Sequence, residues 1–410
     1  MNEEKRLLVW LCSRAPTGSA LPYVLLKYFG SATAVYAADE ADLAAAPVEW
    51  NGRMGPFLEK DLSFAERVLE YCEKHSVGIC TLTDPFYPKR LFDLPCPPVL
   101  LYHMGEFCDL DNVPSVAVVG SRTPSAYGTR AAKRLSYDLA RGGAVLVSGL
   151  ARGVDSIAHR AALYAETFTV GVLGCGIDRA YPPEHRDLIA EVAEKGLLLT
   201  EYAPGTPPNG RNFPMRNRII AALSRATLVV EAASASGSLI TAEHAMRLGR
   251  ELYAVPSSIF SAASAGSNHL LTLGAKCALR AEDILAPLLG AIPELRPVKR
   301  VKKREKKEKA DAFSFPGSGN KTMPPAFSEQ APKASVPKAP RFEKASFLSL
   351  SGEERALLSA LSHEPVSMEQ LAKSTALSAA RVMMLVTSLE LKGYARRLGG
   401  NRVCLTDDAD

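Results

Sequence analysis

The sequence of 410 residues has no C-x-x-C pair, no apolar run near the ~18 residues that cross a membrane, and no large charge of either sign. Its eight cysteines (12, 72, 80, 96, 108, 175, 277 and 404) are scattered. That excludes zinc ribbons and thioredoxin-type redox sites, and no disulfide framework is expected at this length. Met1–Arg6 is followed by only six apolar residues, Leu7 to Cys12, before Ser13 and Arg14. This is too short for a secretory segment, and no cleavage-type site follows. A soluble, reduced, cytoplasmic protein with no membrane contact is expected.

Chemical signatures are missing as well. No G-x-G-x-x-G follows the first central strand, so dinucleotide binding is not supported. No G-x-x-x-x-G-K-[ST] supports an ATPase, and no G-x-S-x-G supports a hydrolase elbow. No catalytic residue, metal or cofactor is assigned.

What is present begins with the placement of charge. Lys and Arg outnumber Asp and Glu by 49 to 44, a net of +5. Residues 1–112 carry −6, 113–290 carry +4, 291–344 carry +8 and 345–410 carry −1. A uniformly basic DNA-coating protein is thereby excluded. The +8 stretch holds eight prolines and the basic run Lys299–Lys309. It cannot bury enough surface to offset its ordering entropy, so it reads as a disordered linker.

The centre alternates short β-branched runs with amphipathic stretches. The strands expected are Val116–Val119, Ala144–Ser148, Thr169–Leu173, Leu197–Thr200, Thr227–Val230 and Leu252–Val255. The helices are Tyr127–Arg141, Asp155–Ala165, His185–Lys195 and Thr241–Arg250. This alternation predicts a parallel sheet covered on both faces, with ligands beyond the carboxyl ends of the strands. Residues 1–75 read as small helices (Leu21–Phe29, Ala41–Ala46, Asp61–His75), and 79–112 as a Pro-rich lead-in. In the tail, helices at Glu353–Leu361, Ser367–Lys373 and Ser378–Lys392 precede a tight turn at Gly399-Gly400-Asn401, a winged-helix pattern.

Candidate site residues follow the strands. Gly120-Ser121-Arg122 is either a phosphate cradle at a helix start or an ordinary tight turn with an exposed Arg. Ser236-Gly237-Ser238 is either a second cradle or an N-cap on a flexible loop. Arg211, Arg216, Arg218 and Arg225 lie within fifteen residues, with Phe213 among them. Arginines around an aromatic suit a single strand, whose bases stack while its phosphates pair. The alternative is a solvated helix start with Phe213 folded inward, some arginines pairing with Asp178, Glu201 or Glu231. Asp155 and His159, one turn apart, read as a cap and a packed or hydrogen-bonded histidine rather than as metal ligands. The last tail helix offers mainly Arg381 and Lys392, so packing is favoured over groove reading. Arg396, Arg397 and Arg402 leave weak backbone contact open.

Taken in order, Gly120-Ser-Arg122, Ser148-Gly-Leu-Ala-Arg-Gly-Val-Asp-Ser-Ile-Ala-His159, Gly174-Cys-Gly-Ile-Asp178, Tyr181-Pro182, Glu201-Tyr202, Phe213-Pro-Met-Arg-Asn-Arg-Ile-Ile220, Glu231-Ala232, Ser236-Gly-Ser-Leu-Ile-Thr241 and Ala254-Val-Pro256 closely resemble the DNA-processing protein DprA (Smf) family. The resemblance covers about 80–290. It implies an α/β protein with a Rossmann-like parallel sheet core, a small helical N-terminal domain and a C-terminal winged-helix domain. The boundaries expected are 1–78 (small helical, SAM-like), 79–290 (Rossmann-like, DNA-binding), 291–344 (linker) and 345–410 (winged helix). The implied function is non-enzymatic: binding and protecting single-stranded DNA and loading RecA in natural transformation. A homodimer and a contact with single-strand-binding protein are further implications. Carried over, the phosphate pocket falls on Gly120, Ser121 and Arg122. The DNA contacts fall on Phe213, Arg216, Asn217 and Arg218, and Ser236, Gly237 and Ser238 form a further pocket wall. Glu184 stands where the family more often has a basic residue or Asn, and Ser257 where it has Gly. The competing enzymatic reading is a nucleoside-monophosphate N-glycosidase with Glu243 as its carboxylate. Leu270, Leu271 and Leu273 are either a self-association face or a buried core helix.

Overall fold

The computed structural model describes residues 3–291 apart from 17, and within 352–405 all but 362–365, 376, 379–380, 383–384, 387–388, 390–393 and 399–401. The expected linker therefore lies outside the described residues, save Ala291. The described elements fall into two units, each taken by itself.

The first unit opens with six helices: α1 (Glu3–Ser13), α2 (Leu21–Phe29), α3 (Ala32–Ala37), α4 (Glu40–Ala45), α5 (Gly55–Leu58) and α6 (Ser63–Lys74). Helix α1 has no counterpart in the expected pattern. Leu7, Leu8, Val9, Trp10 and Leu11 are all buried, so no apolar–polar period marks the helix. These residues share one apolar cluster with Phe57, Tyr102, Leu188 and Ile189, so the helical region packs directly on the sheet layer.

Two strands, β1 (Gly78–Thr81) and β2 (Leu100–Gly105), occupy the stretch read as a Pro-rich lead-in. They pair antiparallel, and the prolines lie in the connection between them. The doubly covered core follows: β3 (Ser115–Val119), α7 (Ala126–Arg141), β4 (Val145–Ser148), α8 (Val154–Tyr164), β5 (Thr169–Val172), α9 (Arg186–Lys195), β6 (Leu197–Thr200), α10 (Asn212–Leu223), β7 (Ala226–Val229), α11 (Ser238–Arg247), β8 (Glu251–Ala254), α12 (Ala265–Thr272), β9 (Lys276–Cys277) and α13 (Glu282–Ala291). The six expected strands are all present. β3 to β7 are buried along their whole length, as runs of Val and Leu must be when helices cover both faces.

Nine strands form one sheet in the order β1-β2-β6-β5-β4-β3-β7-β8-β9. β2 joins β6 antiparallel, and the pairs from β6 to β9 are parallel. Successive side chains on β3 go to opposite faces. Val116 and Val118 pack with Leu135, Leu139 and Ala158 of α7 and α8, while Ala117 and Val119 pack with Ile219, Ile220 and Ala242 of α10 and α11. The chain moves outward from β3 to β6, then returns to lay β7 on the other side of β3. β3 and β7 therefore flank the switch point, where a crevice opens beyond the carboxyl ends.

The second unit contains α14 (Gly352–Ser359), β10 (Val366–Ser367), α15 (Met368–Thr375), β11 (Ala395–Leu398) and β12 (Arg402–Leu405). The strands pair in the order β10-β12-β11, all antiparallel. Leu357, Leu371, Val382, Val386, Leu389 and Val403 build its core. Residues 381, 382, 385, 386 and 389 of the expected Ser378–Lys392 helix are helical. Lys392 and the turn at 399–401 lie outside the described residues.

Candidate nucleic-acid interface

At the carboxyl edge of the sheet, the loops after β3, β4 and β5 meet the first turns of α10. Arg122, Gly149, Gly174, Tyr181, Phe213 and Arg216 line a small cleft there. The Phe213 ring packs over Gly174 so closely that a Cβ on that glycine would stand 2.8 Å from the ring, which explains the glycine. Phe213 also stacks on Tyr181, with ring centroids 5.2 Å apart and planes 24° apart. Two guanidinium carbons lie over the Phe213 ring, Arg122 at 5.8 Å and Arg216 at 6.0 Å from its centroid. Tyr181 was not assigned a role from the sequence, although an aromatic beside Pro182 in a loop after β5 was a usable signal.

The two arginines differ in kind. Arg216 is buried, and its Nη1 donates to the carbonyl of Gly149 at 2.6 Å and to that of Val172. Its Nε donates to Asn217 Oδ1 at 3.2 Å, and Asn217 Nδ2 donates to the Gly237 carbonyl at 3.3 Å. One polar string thus ties the ends of β4 and β5 through α10 to the loop before α11. Burial holds the Arg216 pKa below its ordinary value, and the charge of Asp155 opposes that shift. Burial likewise pushes the Asp155 carboxyl up, while Arg216 and the amides of Ala151 and Gly149 pull it down. Arg122 is exposed, and among the described residues no acid pairs with it.

The helix start after Gly120-Ser121-Arg122 carries a carboxyl group of the protein's own. Glu231, at the end of β7, is buried, and its carboxylate accepts from Ser125 N at 2.8 Å and from Ser125 Oγ. The Glu231 carbonyl accepts from Ser121 N at 2.7 Å, and Ser121 Oγ accepts from Thr123 N at 3.1 Å. The amides of Ser121, Thr123, Ser125 and Gly128 are thus taken up by the protein's own groups. Gly120 serves close packing, since a Cβ there would stand 2.7 Å from Val154. Of the tripeptide, the Arg122 side chain is exposed.

The four arginines between 211 and 225 do not converge. Arg218 is buried on another face of α10, with Nη2 on Glu201 Oε2 at 2.5 Å and Nη1 donating to the Cys96 carbonyl at 3.2 Å. Arg225 lies beyond α10, donating Nη2 to the Asp111 carbonyl at 2.5 Å. Arg211 is exposed at the start of the helix. A helix turns about 100° per residue, so closeness in sequence separates these side chains in space. In Ser236-Gly237-Ser238 the two hydroxyls bond each other at 2.7 Å, and Ser238 starts α11.

Remaining candidates take structural places. Asp155 Oδ2 accepts from Gly149 N at 3.1 Å and Ala151 N at 3.4 Å, shaping the loop before α8. His159 is fully buried, with Nδ1 2.9 Å from Thr169 Oγ1, and burial pushes its pKa down to about 3. Glu184 pairs with Arg152 at the rim of the cleft. Glu243 sits on the exposed side of α11, paired with Arg247 at 2.5 Å, and does not line the cleft. Leu270 is buried, Leu271 half-buried and Leu273 exposed. In the second unit Arg381 pairs with Glu353 at 2.5 Å.

Residues 78–288 match the family described as DNA recombination-mediator protein A, and 340–401 match the DprA winged helix domain. The chain is similar to Protein Smf of Synechocystis, at 34% identity over 337 residues, covering 82% of this chain and 81% of that protein. It is similar to the DNA processing protein DprA of Streptococcus pneumoniae, at 43% identity over 206 residues, covering 50% of this chain and 72% of that one. The X-ray structure of DNA processing protein A from Streptococcus pneumoniae matches with a TM-score of 0.56 at 33% identity, covering 70% of this chain and 98% of that chain.

Proposed function

The chain belongs to the DNA recombination-mediator protein A family, and from that premise we propose that it binds single-stranded DNA without catalysing a reaction and hands it to the recombinase RecA. The observation that carries the reading is the unpaired, exposed Arg122 set over the Phe213–Tyr181 stack. An aromatic stack takes a base of any kind, and a free guanidinium takes the adjoining phosphate, so the site tolerates sequence. Buried Arg216 positions: its bonds to two strand-end carbonyls hold α10, and with it Phe213, against the sheet. Asn217 extends the same brace to the Gly237 carbonyl. Protection of incoming DNA in transformation, displacement of single-strand-binding protein and action as a homodimer belong to the same proposal.

Each phosphate neutralised on a single strand contributes a log–log salt slope of roughly −0.7. Arg122→Ala is expected to weaken binding of a single strand and to flatten the slope by about that amount. Unchanged affinity and slope sink the assignment. A competition between single strand and duplex of equal length, with and without RecA, tests the rest: RecA filament formation must quicken on the single strand alone.

A further inference from the structure

Helices α7 and α8 both leave the carboxyl edge beside the cleft and run side by side across one face of the sheet. Along α7, Tyr127, Arg130, Arg134 and Tyr137 recur at helical spacing on one face, with Lys133 adjoining. From α8, Ile157, Arg160 and Tyr164 complete a broad groove beside them. Tyr164 is 81% exposed, and its ring lies 5.8 Å from that of Tyr137. Arg134 is paired with Asp138, but among the described residues no acid pairs with Arg130, Lys133 or Arg160.

An aromatic ring this exposed gains nothing from the core. Three cations without partners are likewise not explained by folding. The stripe begins at Tyr127, five positions beyond Arg122, and runs roughly 15 Å to Tyr137. Charge along the groove is graded. Arg130 and Lys133 lie in the first half of α7, toward the cleft, and Arg160 past the middle of α8, whereas Glu166 and Glu194 stand at the far end, where Glu191 is paired with Lys195.

We infer that this α7–α8 face carries a second stretch of the single-strand path, with Arg130, Lys133 and Arg160 on phosphates and Tyr137 and Tyr164 under bases. It rests on the reading of the cleft as a single-strand site and extends it. The face sets cations beside exposed rings, the two kinds of group that a single strand's phosphates and bases take. The acids at the distal end stop the path.

The test uses the full chain with two oligothymidylates, one of about six nucleotides that fills the cleft alone and one of about twenty-four that reaches the groove. The triple variant Arg130→Ala, Lys133→Ala, Arg160→Ala is expected to bind the short strand as the parent does. It should bind the long strand about tenfold or more weakly, with the salt slope flattened by roughly 2 for three lost phosphates. Tyr164→Ala, a single exposed change, should weaken the long strand only, and the emission of Tyr164→Trp should be quenched by the long strand only. Variants equal to the parent on both strands overturn the inference while leaving the cleft in place. Loss of RecA stimulation with unchanged DNA binding also overturns it, by giving the face to a protein. A parent chain that binds neither strand overturns the reading of the cleft itself.

Discussion

Replacing Arg218 with Met separates two roles that its position in the sequence leaves joined. The guanidinium and the Glu201 carboxylate are 8% and 14% exposed, and they meet at 2.5 Å. Removing one partner of such a pair leaves an uncompensated buried charge, at a cost of about 3–5 kcal/mol. For a unit of this size each kcal/mol moves the melting temperature by about 2–4 °C, so Arg218→Met should melt roughly 6–20 °C lower at pH 7.5. The pH dependence gives an internal check. Burial already holds the Glu201 pKa above its ordinary value, with Arg218 pulling it down. Without Arg218 the folded-state pKa rises further. The native state then binds more protons than the unfolded one, so stability grows as pH falls through the raised pKa. The deficit at pH 7.5 should therefore shrink toward pH 5.5, and Arg218→Met with Glu201→Gln should recover most of it. Melting followed by calorimetry and circular dichroism reads both effects. A variant that melts within about 2 °C of the parent yet binds single strands much more weakly would refute the reasoning and make Arg218 a DNA contact.

Two further outcomes are expected. Phe213→Ala removes the ring between Arg122 and Tyr181; a lost base stack costs about 1–3 kcal/mol, so fluorescence anisotropy should show single-strand affinity falling by roughly 5- to 150-fold with little change in the salt slope. His159 is held neutral by burial, with a pKa of about 3, so the unfolded chain binds the extra proton first as pH drops below roughly 6.5. Chemical denaturation should find stability falling by up to about 1.4 kcal/mol per pH unit from pH 6 toward pH 4, and His159→Gln should flatten that dependence.

The six central strands were legible because each is a short, continuously apolar run followed by a turn residue, and four of the helices between them were legible from their period. α10 was not named, because Arg216, Arg218 and Ile219 to Leu223 are all buried and no period marks it. α1 was not, because five successive residues are buried and the period vanishes. β1 and β2 were hidden by the prolines between them and by the short length of β1. At the site, Phe213 and Arg122 could be chosen from residue chemistry alone. Tyr181 could not be joined to them, because it lies thirty-two residues before Phe213 and meets it only through the strand order.

The sequence by itself pointed to the fold class through local periodicity and the residues that end each strand, and to the family through the resemblance of its ordered motifs. Only the tertiary structure decided which charges are free. Arg216, Arg218 and Arg225 look alike along the chain, yet one braces two strand ends, one neutralises Glu201 and one holds a carbonyl before β3. Glu231, more than a hundred residues away in sequence, binds Ser125 at the helix start after Gly120-Ser121. Whether a guanidinium meets a carboxylate depends on which faces the helices turn toward one another, and residues far apart in the chain set that.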